Sequence, residues 1–294
     1  MPHDVGQHDL GAHGMVALIT GAGSGIGQAL AIEASQRGMG LVLVGRRRSP
    51  LEATKAMLRP GAPCLVLPAD VTLAQDRQAL TRAVQDHAGG LDFLVNNAGL
   101  VWAGTLSAMD DQTLAAVMAT NLMAPLALTR DFLPLLTAAA GRVVNIGSLL
   151  GDIPYPLFAA YCASKYGLRG LSDALRRELR GCGVGVTYAA PRGARTPATD
   201  ALEPLLALLD MPTDPTADIA KRIWTAAQAG ANTAYPAGPE RLFVLIQRLF
   251  PRLVDAAVRH QLRRGPLGAP LPPEAVRQPS PDAAGPRVDY LPLV

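Results

Sequence analysis

Charged residues are scarce in this 294-residue chain, at 17%, and aromatic residues scarcer still, at 4%. Charge at that level lies below the roughly one quarter usual for globular chains and fits a sheet buried between two layers of Ala-rich helices. A formal charge of +3 is too small to argue for nucleic acid, and no basic-aromatic stripe accompanies it. Cysteine is nearly absent. Cys64, Cys162 and Cys182 lack metal-ligand spacing, and an odd count without a secretory signal is expected of reduced thiols in a cytoplasmic protein. His3, His8 and His13 recur every five residues, which does not stack them on one helical face, so no metal site is expected. No apolar run approaches the roughly 18 residues that cross a bilayer, and no segment repeats.

What the chain does have is alternation. Apolar runs predict strands at 15–20, 40–44, 64–67, 92–95, 142–147, 184–190 and 233–236. Helical patterns fall between them at 25–37, 49–58, 73–88, 111–138, 158–180 and 216–229. Strand and helix in turn mean right-handed crossovers and a doubly wound parallel sheet of about seven strands, with helices on both faces and one core. Such sheets bind ligands at the carboxyl ends of their strands, where strand order reverses. Residues 1–14 and the Pro-rich 265–294 read as disordered tails. Between them lie a body at 15–240 and a basic amphipathic helix at 241–264, which Pro251 kinks or splits.

Two constellations carry chemistry. The strand Met15–Thr20 runs into Gly21-Ala22-Gly23-Ser24-Gly25-Ile26-Gly27 and then into a helix-forming segment. Glycines let backbone approach a pyrophosphate, and the helix N-terminus offers free N–H groups and partial positive charge. Farther on stands Tyr161-Cys162-Ala163-Ser164-Lys165, with Ser148 thirteen residues before the tyrosine. Positions i and i+4 share a helix face, so the Tyr161 phenol and the Lys165 ammonium can converge. A phenol beside a fixed cation is expected to ionise below its ordinary pKa of about 10 and to exchange protons near neutral pH.

Thr20-Gly21-x-x-x-Gly25-x-Gly27, Asn96-Asn97-Ala98-Gly99, Asn121, Ser148 and Tyr161-x-x-x-Lys165 stand in order and spacing that resemble the classical short-chain dehydrogenase/reductases over roughly residues 14–240. The resemblance implies a Rossmann-like fold, a nicotinamide cofactor and four catalytic residues. Tyr161 would exchange a proton with the substrate oxygen, and Ser148 would hold that oxygen. Lys165 would bond the nicotinamide ribose and ease ionisation of Tyr161, and Asn121 would fix a proton-relaying water. The alternative for Asn121 is a helix-interior amide bonded to backbone. Gly21, Ser24, Gly25, Ile26, Gly27, Asn97, Ala98, Gly99, Tyr161, Lys165, Pro191 and Thr196 would face the cofactor. The implied activity is reduction of a ketone or aldehyde. The oxidative direction, as an alcohol dehydrogenase, and a non-catalytic nicotinamide-binding sensor or scaffold are the alternatives. The family usually forms homodimers or homotetramers.

Cofactor choice is read after the second strand, at Gly45-Arg46-Arg47-Arg48. A carboxylate there would bond a free ribose 2′-hydroxyl; arginine suits a 2′-phosphate. With no acid present, NADP(H) is expected over NAD(H), held by Arg46 and then Arg47. Asp70 and Val71 resemble the adenine contacts of the family, although Asp70 is also placed to cap the helix near Leu73. One segment departs from the family: Pro191 is followed by Arg192 where glycine is usual, so Arg192 either faces solvent or sets a cation beside the pyrophosphate or an anionic substrate. Residues 196–214 read as a flap over the site, nearly all apolar from Ala201 to Leu209. Val101, Trp102, Leu149, Leu150, Pro154, Tyr155 and Phe158 could add to its wall. A lipophilic carbonyl substrate and ordinary packing explain this segment equally well. The basic helix at 241–264 has three readings: packing on a partner subunit, closing the pocket, or peripheral contact with an anionic membrane.

Overall fold

The computed structural model describes residues 10, 14–196, 203–209 and 211–264. The first half of the sheet is built from β1 (Val16–Thr20), β2 (Gly40–Gly45) and β3 (Cys64–Pro68), alternating with α1 (Gly25–Gln36), α2 (Arg48–Ala56) and α3 (Ala74–Ala88). After β4 (Phe93–Asn96) come α4 (Asp111–Met118), a π-helical turn at 119–123 and α5 (Ala124–Ala138). Then follow β5 (Arg142–Ile146), α6 (Ala159–Glu178) and β6 (Gly185–Ala189). The remainder comprises two-residue strands β7 (Gly193–Ala194) and β8 (Thr213–Asp214), α7 (Glu203–Leu208), α8 (Thr216–Gln228), β9 (Thr233–Ala234), α9 (Glu240–Leu249) and α10 (Pro251–Arg264).

Seven strands form one parallel sheet in the order β3-β2-β1-β4-β5-β6-β9, and β7 pairs with β8 apart from it. The order reverses between β1 and β4, so their carboxyl ends, Thr20 and Asn96, open the crevice expected of such a sheet. Side chains alternate across it. Ala17 and Ile19 of β1 join the core under α1 and α8, where Trp224 donates to the Leu30 carbonyl at 2.9 Å and meets Phe93 edge-on. Val16 and Leu18 join the opposite core with Leu80 and Val84 of α3 and Phe132 of α5. Strands buried on both faces explain why these runs are continuously apolar. Leu10 is fully buried in that second core and its N–H bonds the His87 carbonyl, so the disorder expected of 1–14 does not extend to it. The tail expected at 265–294 lies outside the described residues.

The helix expected over 111–138 is not continuous. Its π turn at 119–123 precedes Pro125, whose nitrogen carries no hydrogen for the Asn121 carbonyl four residues back. The helix expected at 241–264 is split at Pro251 into α9 and α10. Within and just before the expected flap, α7 and the β7–β8 pair were not foreseen, because neither two-residue strands nor one-and-a-half turns of helix leave a periodic signal.

Candidate active site

Gly21 ends β1 at φ +66°, and a Cβ at Gly27 would lie 2.3 Å from the Gly21 carbonyl oxygen and 2.5 Å from Asn97 Nδ2. Only glycine lets this loop close on itself. The loop is stitched to β4 by Thr20, whose hydroxyl donates to the Val95 carbonyl at 3.1 Å and accepts from the N–H groups of Asn97 and Ala98 at 2.9 and 3.0 Å. Asn97 Nδ2 donates to the Thr20 carbonyl at 2.7 Å. The Asn97 amide therefore holds two strand ends together, while its Oδ1 is a buried acceptor with no partner among the described residues. Ile26 turns its side chain into the core and offers a ligand only backbone.

Beside the loop runs a cleft of about 260 Å³. Gly21, Ser24, Arg46, Arg47, Asp70, Val71, Ala98 and Gly99 line it, as the sequence predicts. Gly25, Ile26, Gly27 and Asn97 do not; they shape the loop from behind. Pro50, Leu51, Thr72, Leu100, Ala119 and Thr120 also line the cleft and were missed. One signal for Pro50 exists in hindsight: a Cβ at Gly23 would come within 2.8 Å of it. Asp70 does not cap α3, whose N-cap position is Leu73. Its carboxylate accepts from the Thr72 N–H at 2.9 Å and the Thr72 hydroxyl at 2.6 Å, which fixes the turn at the mouth of the cleft. A glycine cradle at a helix start, two arginines, and backbone without a competing acid at position 45 fit a phosphorylated dinucleotide.

The second cluster lies on α6 and the end of β5. Tyr161, Ser164 and Lys165 are all buried. Ser148 begins a 3-10 turn at 149–151 and its hydroxyl accepts from the Leu150 N–H at 3.1 Å. Tyr161 and Ser148 share a side-chain hydrogen bond. Lys165 Nζ lies 5.6 Å from the Tyr161 ring centroid and donates to the Ile146 carbonyl at 2.8 Å. The two side chains converge, but the expected effect on ionisation is reversed. Burial pushes the Tyr161 phenol up to about 12, against which the Ser148 bond works, and pulls Lys165 down to about 8. Desolvation is the leading cause for both groups. Tyr161 is therefore a protonated donor at neutral pH, and Lys165 keeps most of its charge there.

Asn121 stands in the π turn with its amide fully engaged. Its Oδ1 accepts from the Leu100 N–H at 2.7 Å, and its Nδ2 donates to the Leu100 carbonyl at 2.8 Å and to Ser164 Oγ at 3.0 Å. The backbone-bonded alternative describes this side chain. It joins the cleft wall at Leu100 to the helix that carries Tyr161.

Pro191 accepts the Leu149 N–H on its carbonyl at 3.1 Å, and Thr196 is buried nearby in sequence. Arg192 takes neither expected course. Its Nε lies 2.6 Å from Glu240 as a charge contact without an aligned hydrogen bond, and its other nitrogens reach Asp214 at 3.4 Å and the Ala237 carbonyl at 3.1 Å. Two carboxylates hold the cation between the β7–β8 pair and α9. The apolar wall is smaller than expected. Leu150, Phe158 and Leu209 pack on Tyr161, with Val101, Tyr155, Leu205 and Leu206 against them. Trp102 turns instead toward Val117 and Ala160, and Pro154 is exposed.

Residues 15–205 match the family model described as short chain dehydrogenase. The 3-oxoacyl-acyl-carrier-protein reductase of Haemophilus influenzae is 34% identical over 190 residues, which cover 64% of this chain and 78% of the relative. The fold is similar to a short chain dehydrogenase/reductase from Burkholderia phymatum solved in complex with NAD, with TM-score 0.76 and 26% identity over 82% of this chain and 95% of that one. A metagenomic short-chain oxidoreductase solved in complex with NADP gives TM-score 0.66 and 32% identity over 77% of this chain and 98% of that one.

Proposed function

Because the chain belongs to the short-chain dehydrogenase/reductase family and is an NAD(P)-dependent oxidoreductase, we propose that it uses NADPH to reduce a lipophilic ketone or aldehyde, with Tyr161 as the proton donor. The observation that carries this reading is the convergence of Ser148 with the buried Tyr161 and Lys165.

When bound, the cofactor supplies the hydride that reduces the carbonyl carbon. The chain's own residues supply the rest. The Ser148 hydroxyl, already hydrogen-bonded with Tyr161, orients the substrate oxygen between them. The neutral Tyr161 phenol gives its proton to that oxygen as negative charge develops. Lys165 is fixed at one N–H by the Ile146 carbonyl; its remaining donors suit the nicotinamide ribose, and its charge stabilises the tyrosinate left behind. Asn121 acts on the reaction by holding Ser164 and Leu100, hence α6 and the cleft wall, in register.

Arg46 and Arg47 at the cleft, with Gly45 before them, support a 2′-phosphate and so NADP(H) over NAD(H). The apolar cluster on Tyr161, made of Leu150, Leu157, Phe158 and Leu209, supports an acyl chain or similar apolar group beside the carbonyl. Exposed Leu114, Met123 and Leu126 on α4 to α5 support self-association into a homo-oligomer.

The test is NADPH oxidation by the purified protein against ketones of increasing chain length, with Tyr161→Phe as the control. Turnover that rises with chain length and disappears in the variant supports the reading. Equal turnover in the variant rejects Tyr161 as the acid, and tight NADPH binding without turnover of any carbonyl favours the sensor alternative.

A further inference from the structure

The apolar side of α9 faces outward. Leu242, Leu245 and Leu249 recur at three and four residues and so share one face, yet each is more than half exposed. Phe250 at the joint and Leu253 in the first turn of α10 are exposed to similar extents, at 58% and 62%. Val244 is the one buried apolar residue of α9, and the contacts beside it on the inward side are polar. Buried Glu240 meets Arg192 at 2.6 Å, and Arg248 meets Asp152 at 3.0 Å. In α10, Gln261 donates to the Leu209 carbonyl at 2.7 Å and is bonded by the Tyr155 hydroxyl. The helix pair is thus pinned by polar contacts to the body, next to the apolar cluster at Tyr161, with its greasy face turned away. Monomeric water-facing surfaces seldom keep such a patch without a partner.

We infer that α9 and α10 form a docking surface for an anionic lipid bilayer. Charge selects this occupant. Apart from Arg248, which pairs with Asp152, Arg241, Arg252 and Arg259 are exposed along the pair, against Asp255 as the one exposed acid of 240–261. A second copy meeting this face across a two-fold axis would set arginine against arginine. An anionic headgroup layer neutralises the arginines while the acyl boundary takes the leucines and phenylalanines. The inference goes beyond the reductase reading, and its test does not depend on catalysis.

The experiment is flotation of the full chain with vesicles of phosphatidylcholine alone and of phosphatidylcholine mixed with phosphatidylglycerol. Three proteins are compared: the native chain, Leu245→Asp/Leu249→Asp, and Arg252→Glu/Arg259→Glu, each also run on size exclusion. The expected result is binding to the mixed vesicles that weakens in high salt and falls roughly tenfold or more in both variants, with the elution volume unchanged. Overturning results are no flotation of the native chain, flotation undiminished in the Leu245→Asp/Leu249→Asp variant, or a drop in oligomer size in that variant with no lipid binding by the native chain. The last result would assign the face to a subunit contact.

Discussion

Arg248 of α9 meets the buried Asp152 carboxylate at 3.0 Å, and Asp152 sits just past the 3-10 turn that Ser148 begins. The same carboxylate accepts the Tyr235 hydroxyl at 2.9 Å, and Arg169 donates to Tyr235 at 2.8 Å. Arg169 also lies 4.7 Å from the Tyr188 ring, whose hydroxyl donates to the Ser148 carbonyl at 3.2 Å. A polar chain therefore runs from the C-terminal helices to the backbone of Ser148.

Burial raises the Asp152 pKa; Tyr235, Arg169 and Arg248 oppose that rise. A carboxylate with a raised folded pKa binds protons more tightly in the native state than in the unfolded one. Stability on its account falls as pH climbs from the unfolded value, about 4, through the folded value. Arg248→Ala removes one opposing cation, so its cost should be small in acid and grow to about 1–3 kcal/mol near neutral pH. Urea unfolding of both proteins across that range measures the difference, and a cost independent of pH contradicts the assignment.

Lys165 has the opposite sign. Its folded pKa is lowered to about 8 from 10.5, so the native state binds fewer protons than the unfolded state between those values. Stability on its account rises with pH across that window, and the burial cost is at its fullest below about 8. Lys165→Met should therefore stabilise the cofactor-free protein near neutral pH by about 1–3 kcal/mol while abolishing turnover. The gain should shrink toward pH 10.5. Chemical denaturation of native and variant proteins side by side reads the slope directly; parallel curves count against a buried charge.

Arg46→Glu should weaken NADPH binding by about ten- to hundredfold and leave NADH within about twofold, because a carboxylate repels a 2′-phosphate and accepts from a 2′-hydroxyl. Fluorescence titration with each cofactor decides it. Equal weakening of both would place Arg46 away from the ribose.

Gly27→Ala should abolish cofactor binding. Its Cβ has backbone, not a yielding side chain, as its nearest neighbour, at 2.3 Å from the Gly21 oxygen. Calorimetry that finds native affinity in this variant would mean that the loop rearranges freely.

Much of this architecture is legible before folding. Continuous apolar runs such as Val16–Ile19 and Leu41–Val44 place the parallel strands to within a residue or two, because strands buried on both faces need no alternation. Tyr161 and Lys165 are picked out by helical spacing together with the glycine loop, Asn121 and Ser148 that precede them in order. Their ionisation is not, since burial, invisible in spacing, is the leading cause of both shifts. Asn97 and Asn121 are found by position, but the bonds of their amides are not, because the backbone atoms that occupy them come from distant strands and loops. Arg192 is an odd residue in sequence, and Glu240, forty-eight positions later, explains it only in three dimensions. The outward face of α9 is invisible to periodicity, which reports that a helix has an apolar side and not which way it points.

The central claim is hydride transfer to a carbonyl with Tyr161 as the acid, and isotope transfer tests it most directly. NADPH carrying deuterium at both hydrogens of the nicotinamide C4 would be incubated with the protein and a lipophilic ketone, and the product examined by mass spectrometry. The account predicts an alcohol carrying one deuterium at the carbinol carbon, with transfer cut about hundredfold or more in Tyr161→Phe. An alcohol without deuterium, or full transfer in the variant, would contradict it.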